Sequence, residues 1–291
     1  MRKRISWIKN REPFYYIIPT LVYFAIFLFF PIVFSLALGF YEFHGYSQNI
    51  FTKFVGLENF KYVFTDTYFH IALRNTFYFV IGSIVIQLFA ALFLAVVIFY
   101  GDFKYSTAIR TIIFFPAVLA PVTVSLVWRK LLQSEGLINQ ILRIDFAWLS
   151  NIKIAIFVLI FVSIWQWFGY NLVIFFAGLQ SLDGEVIEAA EVDGASWAGK
   201  ITRVVIPMLV PYIVISVILN LIGSFRIFDI VYVMTKGGPI HYTEVLTTLL
   251  FFYAFNPQGL SNMGYASVIA MVLMLVMVLF GVIRLRLITR K

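Results

Sequence analysis

Apolar residues are grouped along this chain in long runs, and polar residues fill the intervals between them. An apolar run of about 20 residues is long enough to cross a bilayer as a helix. Six runs meet this length, at about 14–40, 72–100, 108–132, 154–179, 204–234 and 265–283. The pattern therefore predicts an all-α, polytopic membrane protein with six transmembrane helices.

Prolines lie inside the first and third runs without ending them. Pro19 and Pro31 lie inside the first run, and Pro116 and Pro121 lie inside the third. Packed neighbours allow kinked helices in membranes, so each run is expected to be one span. The first run is longer than the apolar core of a signal peptide (about 7–15 residues) and lacks a small-x-small cleavage site, so it is expected to be retained as a helix.

Composition narrows the class further. The chain is 62% hydrophobic and 12% charged, with a mean hydropathy of +0.94, whereas soluble domains are about 45–50% apolar and about 25% charged. A net charge of +8 can indicate a nucleic-acid partner, but the Lys and Arg residues flank the apolar runs instead of forming a basic face. Cysteine is absent, which excludes disulfides and thiolate chemistry. His44, His70 and His241 lie far apart in sequence, so they are expected to be surface or interface residues and not the ligands of a metal site.

The placement of Lys and Arg predicts the topology, because cytoplasmic loops carry an excess of both. Residues 1–13 form a basic segment that is predicted to be cytoplasmic, and 14–291 is predicted to be one transmembrane domain. Both termini are then inside the cell membrane, and the polar interval of about 180–207 is cytoplasmic as well. Arg129, Lys130 and Arg143 are exceptions in loops assigned to the outside. The inside set comprises the N-terminal cluster, Lys104, Arg110, Lys200, Arg203, Arg284, Arg286, Arg290 and Lys291.

The polar interval of about 180–207 carries a helix–turn–helix pattern. Asp183 is suited to cap a short helix, with Glu185 in its first turn near the positive end of the helix dipole. Gly194 is expected to end that helix, and Ser196 to start a second one that runs toward Pro207. The sequence thus predicts an elbow between two membrane spans that a partner can contact.

The elbow resembles the EAA loop of binding-protein-dependent ABC importer permeases. It reads Glu188-Ala189-Ala190, two residues, Asp193-Gly194-Ala195, and then Ile206-Pro207 after about ten more residues. The resemblance implies a type I ABC importer permease fold in which this loop is a coupling helix seated on an ATPase. The docking residues would be Glu188, Ala189, Ala190, Asp193 and Gly194. The alternative is that Glu188 and Asp193 only cap and solvate a surface loop.

Other segments resemble the sugar-type permeases of the same family. They include Gly56–Phe60, Gly136–Asn139, Phe228-Asp229 and Thr235–Pro239. The resemblance implies import of an oligosaccharide or another sugar, with a polyol phosphate such as glycerol phosphate as the alternative. It also implies the partners: a second permease subunit, two ATPase subunits, an extracytoplasmic solute-binding protein and membrane lipid, without nucleic acid.

Polar residues inside membrane spans usually face a cavity or a partner. On the fourth and fifth spans, Asn171 and Arg226 are candidates of this kind, although Arg226 and Asp229 are spaced to pair with each other. Trp165, Trp167 and Tyr170 offer faces that stack on sugars, but they also suit an interfacial aromatic belt. The substrate pathway implied by resemblance to the maltose system comprises Gln166, Gly169, Asn220, Gly223 and Ser224.

No cofactor is expected on this chain. Residues 194–200 match a P-loop, but Ile201 stands where Ser or Thr is required, and a helix, not a strand, is expected before them. ATP and Mg²⁺ would therefore be used by the partner ATPases. The chain is expected not to be an enzyme, because no catalytic constellation lies at membrane depth. A secondary transporter is the remaining alternative, although the second, fourth and sixth runs lack the mid-span ionisable residues that ion coupling uses.

Overall fold

The computed structural model describes residues 12–44, 53–101, 103–255 and 261–288. The basic segment Met1–Arg11 and the terminal residues Arg290 and Lys291, on which the topology prediction partly rests, lie outside this range.

The described chain is built from helices. They are α1 (Glu12–Phe24), α2 (Phe30–Leu38), α3 (Glu58–Thr65), α4 (Thr67–Ile81), α5 (Phe89–Tyr100), α6 (Ser106–Val118), α7 (Pro121–Leu131), α8 (Leu137–Leu142), α9 (Ala155–Gln180), α10 (Gly184–Val192), α11 (Trp197–Lys200), α12 (Ile206–Met208), α13 (Val210–Phe225), α14 (Asp229–Met234), α15 (Leu246–Phe255) and α16 (Met263–Ile288). Short π-helical segments at Ala25–Phe29, Gly82–Leu88 and Ile201–Val205 join successive helices.

Five helical stretches in the described residues are long and apolar enough to cross a membrane. They are Tyr16–Leu38, Thr67–Tyr100, Ala155–Gln180, Val210–Met234 and Met263–Val282. A bent helix pair raises the number to as many as six. The predicted all-α membrane fold is confirmed, since each stretch overlaps one of the predicted runs.

The third predicted span is the exception, because α6 and α7 meet at an angle of 96°. The predicted run over 108–132 is therefore built from two helices with a sharp bend between them. Leu119 and Ala120 have extended backbones, with ψ values of 144° and 133°. Ala120 precedes Pro121, whose ring disfavours a helical conformation in the residue before it. Pro121 is the first residue of α7. A backbone N–H at this position has no partner inside the helix, so proline, which lacks one, is tolerated there.

The described chain divides into two compact units. The first comprises Met1–Thr65 with Leu250–Val272, and the second comprises Asp66–Leu249 with Leu273–Lys291. In the first unit, the Asn59 side chain donates to the carbonyls of Gly39 (2.9 Å) and Tyr41 (3.0 Å), fixing the turn that follows α2. Both units contain membrane-spanning segments, so the proposed division into residues 1–13 and one transmembrane domain over 14–291 stays a prediction.

The second unit holds the two largest apolar clusters of the described residues. One joins α5 and α9, where Ala91 and Ala95 are fully buried in the same cluster as Phe175 and Leu179. Lipid removes the hydrophobic driving force between helices, so small residues that allow close approach become the source of packing energy. The other cluster joins α4, α7, α9 and α14. Together they fix α9 as the central helix of this unit.

One predicted loop contains a helix that the sequence pattern did not indicate. The interval between the fifth and sixth predicted runs includes α15, a helix of ten apolar and hydroxyl residues. Its length is below that of a membrane span, and a short apolar run cannot be assigned to a helix by periodicity alone.

Candidate functional site

The first half of the predicted elbow is α10. The Asp183 carboxylate accepts a hydrogen bond from the Glu185 backbone N–H at 3.0 Å, so the predicted cap is confirmed. The helix ends where the Gly194 N–H bonds to the Glu191 carbonyl at 3.0 Å. Gly194 has a φ of +77°, a conformation that side chains with a Cβ resist. The glycine is therefore required by the turn itself.

The second half of the elbow begins at Ser196, as predicted. The Ser196 hydroxyl accepts from the Gly199 N–H at 3.2 Å and caps α11. No residue of α10 is buried, and the side chains of Val192 and Trp197 are 87% and 55% exposed. The elbow is therefore a polar surface with exposed apolar side chains, as expected of a surface that a partner covers.

The predicted docking residues share this surface. Glu188, Ala189, Asp193 and Gly194 are exposed, and Ala190 is half-buried. An added Cβ on Gly194 would meet no atom within 4 Å. The exposed carboxylates are available for charge-assisted hydrogen bonds, and the alanines allow close approach of another chain.

A cavity of about 360 Å³ lies among the fourth, fifth and second spans of the second unit. Of the predicted pathway residues, Asn220, Gly223 and Ser224 line it, whereas Gln166 and Gly169 do not. Its polar and charged lining residues are Ser83, Gln87, Ser163, Asn171, Asn220, Ser224, Arg226 and Asp229, with Trp167, Tyr170 and Phe228 as aromatic lining.

Amide and hydroxyl pairs organise the wall of the cavity. The Asn220 side-chain N–H donates to Asn171 Oδ1 at 2.7 Å and to the Ser216 carbonyl at 2.8 Å. The hydroxyls of Ser83 and Ser224 lie 2.5 Å apart. Each of these groups keeps donor or acceptor capacity beyond those bonds. The wall can therefore both donate to and accept from the hydroxyl groups of a ligand.

Ser83 and Gln87 were missed by the sequence reasoning. Both lie on the second span, four residues apart, which places them on one helix face. The buried Nε2 of Gln87 has no hydrogen-bond partner among the described residues. The spacing of two polar residues within an apolar run was the signal that would have found them.

Gln166 and Gly169 lie where α9 packs against α6 and the bend that follows it. Gln166 is fully buried, and its Nε2 donates to the Leu119 carbonyl at 3.1 Å, the group left open where α6 and α7 separate. An added Cβ on Gly169 would lie 2.2 Å from the Ile113 carbonyl oxygen. Both residues therefore stabilise the contact between α9 and the bent pair, and their assignment to the substrate pathway stays a prediction.

The aromatic candidates divide between packing and cavity. Trp165 contacts Trp128 edge-on, with ring centroids 5.4 Å apart. Trp167 and Tyr170 line the cavity and contact each other at 6.5 Å. Flat faces beside amide and hydroxyl groups suit a ligand that has both apolar and polar surfaces.

Arg226 and Asp229 both line the cavity where α13 gives way to α14. Among the described residues no ion pair joins them. The α13 C-terminus favours a cation at Arg226. The cavity thus holds one cation and one anion that are available to a ligand.

Comparison with known proteins shows which family this chain resembles in sequence. Residues 87–291 match the family described as "Binding-protein-dependent transport system inner membrane component". The probable ABC transporter permease protein YesP of Bacillus subtilis is 34% identical over 286 residues, covering 94% of this chain and 89% of that protein. The lactose transport system permease protein LacF of Rhizobium radiobacter is 31% identical over 268 residues, covering 89% and 88%.

The fold is also similar to a solved structure. The crystal structure of a bacterial alginate ABC transporter in complex with an alginate pentasaccharide-bound periplasmic protein contains a chain with a TM-score of 0.79, 22% identity and coverage of 94% and 92%. At this identity the likeness concerns the fold. Together with the family match, it shows that this chain belongs to the binding-protein-dependent transport system inner membrane components.

Proposed function

We propose that this chain is a transmembrane subunit of an ATP-driven importer that moves an oligosaccharide or another uncharged sugar into the cytoplasm. The observation that carries the proposal is the cavity wall of amide and hydroxyl groups beside aromatic faces. Sugars present hydroxyls to such amides and C–H surfaces to such rings. The relative that transports lactose supports the same substrate class.

The charges of the cavity favour an uncharged substrate over a polyol phosphate. Arg226 and Asp229 contribute opposite charges to one lining. A phosphate group would gain from the guanidinium but would be repelled by the nearby carboxylate. A neutral sugar can accept from the first and donate to the second.

The exposed elbow is the surface on which the ATPase would act. Its carboxylates and its uncovered Val192 and Trp197 side chains suit a complementary cleft on another protein. One chain offers one such elbow, so two ATPases would require a second permease subunit. With the elbow on the cytoplasmic side, both termini would be cytoplasmic as well. A solute-binding protein would deliver the sugar from the opposite side of the membrane.

The test is ATP-driven sugar uptake by proteoliposomes that contain this chain, its companion permease, the ATPase and the binding protein. The variant is Gly194→Pro, because proline requires a φ near −65° where the turn has +77°. The matched control is Gly184→Pro at the first position of α10, where proline is tolerated and a Cβ meets no atom within 4 Å.

Uptake is expected to require ATP, to collapse in Gly194→Pro and to persist in Gly184→Pro. Neutral oligosaccharides are expected to compete with the transported sugar for uptake, whereas glycerol phosphate is not expected to compete. ATP-independent uptake would identify a secondary transporter and overturn the proposal. Equal loss in both variants would show that the turn at Gly194 has no special role.

A further inference from the structure

Lys200 is an unusual lysine for its position. It ends α11, next to an elbow that is otherwise exposed, yet its side chain is only 10% exposed. A buried ammonium is costly unless other groups compensate its charge. The partners of Lys200 are therefore informative.

The two groups that contact the Lys200 ammonium come from different elements. The Glu191 carboxylate of α10 forms an ion pair with it. The ring of Tyr100, the last residue of α5, lies beneath it at 5.1 Å from Nζ to the ring centroid, within the range of a cation–π contact. Lys200 thus connects the elbow helix to the end of the second span.

Glu191 depends on this contact. It lies in the last turn of α10, where the negative end of the helix dipole disfavours a carboxylate. Among the described residues, Glu191 is the one side chain of α10 that forms an ion pair or hydrogen bond outside the helix. The side-chain ion pairing and hydrogen bonding of α10 with the rest of the unit therefore pass through Lys200.

The backbone turn joins α10 to α11 but does not reach α5. Gly194 lies in this turn at a φ of +77°, and the N–H groups of Gly194 and Ala195 donate to the carbonyls of Glu191 and Ala190, both at 3.0 Å. The ion pair of Lys200 is therefore a connection that the turn itself does not supply. The pair is partly solvated, since the Glu191 side chain is 55% exposed, so it can adjust when the elbow moves.

We propose that Lys200 is a positioning residue that transmits movement of the elbow to the inner end of the second span. The inference rests on the proposed function, in which an ATPase seated on α10 moves it. The contact of Lys200 with Tyr100 then carries that movement to α5. Because the middle of the same span contributes Ser83 and Gln87 to the cavity, Lys200 links nucleotide-driven movement to the sugar pathway.

The experiment measures sugar transported per ATP hydrolysed in the reconstituted complex. Lys200→Met and Tyr100→Leu are expected to lower this ratio by about 5-fold or more, while the ATPase still co-purifies. Lys200→Arg is expected to retain the ratio, because a guanidinium can make both contacts. The matched control is Lys104→Met, which removes an exposed cation outside the elbow.

A spectroscopic readout separates transmission from a structural role. The chain has no cysteine, so spin labels can be placed at Val186 of α10 and at Phe103, which are both 45% exposed. The distance between the labels is expected to stay constant when nucleotide binds to the wild type, and to change in Lys200→Met.

Each result has a distinct meaning. An unchanged transport ratio in Lys200→Met, or the same change of label distance in both proteins, would overturn the inference. Loss of ATPase co-purification in Lys200→Met would assign Lys200 to docking and would overturn it as well. Failure of the wild type to bind the ATPase or to require ATP would instead refute the proposed function.

Discussion

Replacing Gly169 by alanine should destabilise the contact between α6 and α9. The added Cβ would lie 2.2 Å from the Ile113 carbonyl oxygen and 2.6 Å from the Phe114 Cα. Ordinary contacts begin at about 3.4 Å, so the helices must separate by about 1.2 Å (3.4 − 2.2). Since the opposing atoms are backbone, no side-chain rotation relieves the overlap.

Overpacking of this kind costs about 1–3 kcal/mol, and the upper half of that range is expected here. For a chain of this size, each kcal/mol corresponds to about 2–4 °C in Tm. The matched control is Gly223→Ala, at another helical glycine of the proposed pathway, where a Cβ meets nothing within 4 Å. Because both substitutions bring the same gain in helix propensity, about 0.5–1 kcal/mol, the difference between the variants isolates the overlap.

Thermal unfolding of the purified complex in detergent, followed by size-exclusion chromatography after heating, measures the difference. Gly169→Ala is expected to melt about 4–12 °C below Gly223→Ala. Uptake at a temperature well below both transitions would show whether Gly223→Ala narrows the sugar pathway. Equal melting temperatures would refute the packing argument and leave Gly169 available as a pathway residue.

Two further predictions concern groups outside the elbow and the cavity. Asn75→Ala removes the donor to the carbonyls of Tyr242 and Glu244, each at 2.8 Å, and should cost about 1–3 kcal/mol because the Glu244 carbonyl stays buried; an unchanged Tm would contradict it. Two hydrogen bonds raise the pKa of His44 above its ordinary value of 6.5. The larger effect comes from the bond with the Ser261 carbonyl, and the smaller from the bond with the Glu42 carboxylate. The protonated His44 therefore stabilises the fold fully below pH 6.5, and this stabilisation is lost as the pH rises through the raised pKa. The Tm of His44→Ala should lie below that of the wild type by an amount that shrinks with increasing pH. A difference that grows with pH would refute the stabilising role of protonated His44.

Local signals in the sequence determined the elbow. Asp183, Gly194 and Ser196 act within three residues of their own positions through caps and a turn, so their roles could be predicted without knowing what packs nearby. The membrane spans could be predicted for a related reason. A bilayer requires each segment to be apolar along its length and to satisfy its own backbone hydrogen bonds.

The cavity depended on which helix faces meet, and a sequence of nearly uniform apolarity does not specify that. Asn220 and Ser224 were predicted to face a pathway, whereas their partner Ser83 comes from a span 141 residues away from Ser224 in sequence. Gln166 looked like a pathway residue because it is polar. Only the packing shows that it satisfies the Leu119 carbonyl.

The sequence by itself determined that this protein is a helical membrane component with a polar elbow between two spans, because span length, helix caps and turn glycines act over short distances. The tertiary structure alone decided the 96° bend between α6 and α7, the composition of the cavity and the burial of Lys200. These features arise from the rotation and close approach of helices. In lipid that packing depends on the shape of the contacting surfaces, and apolarity alone cannot encode it.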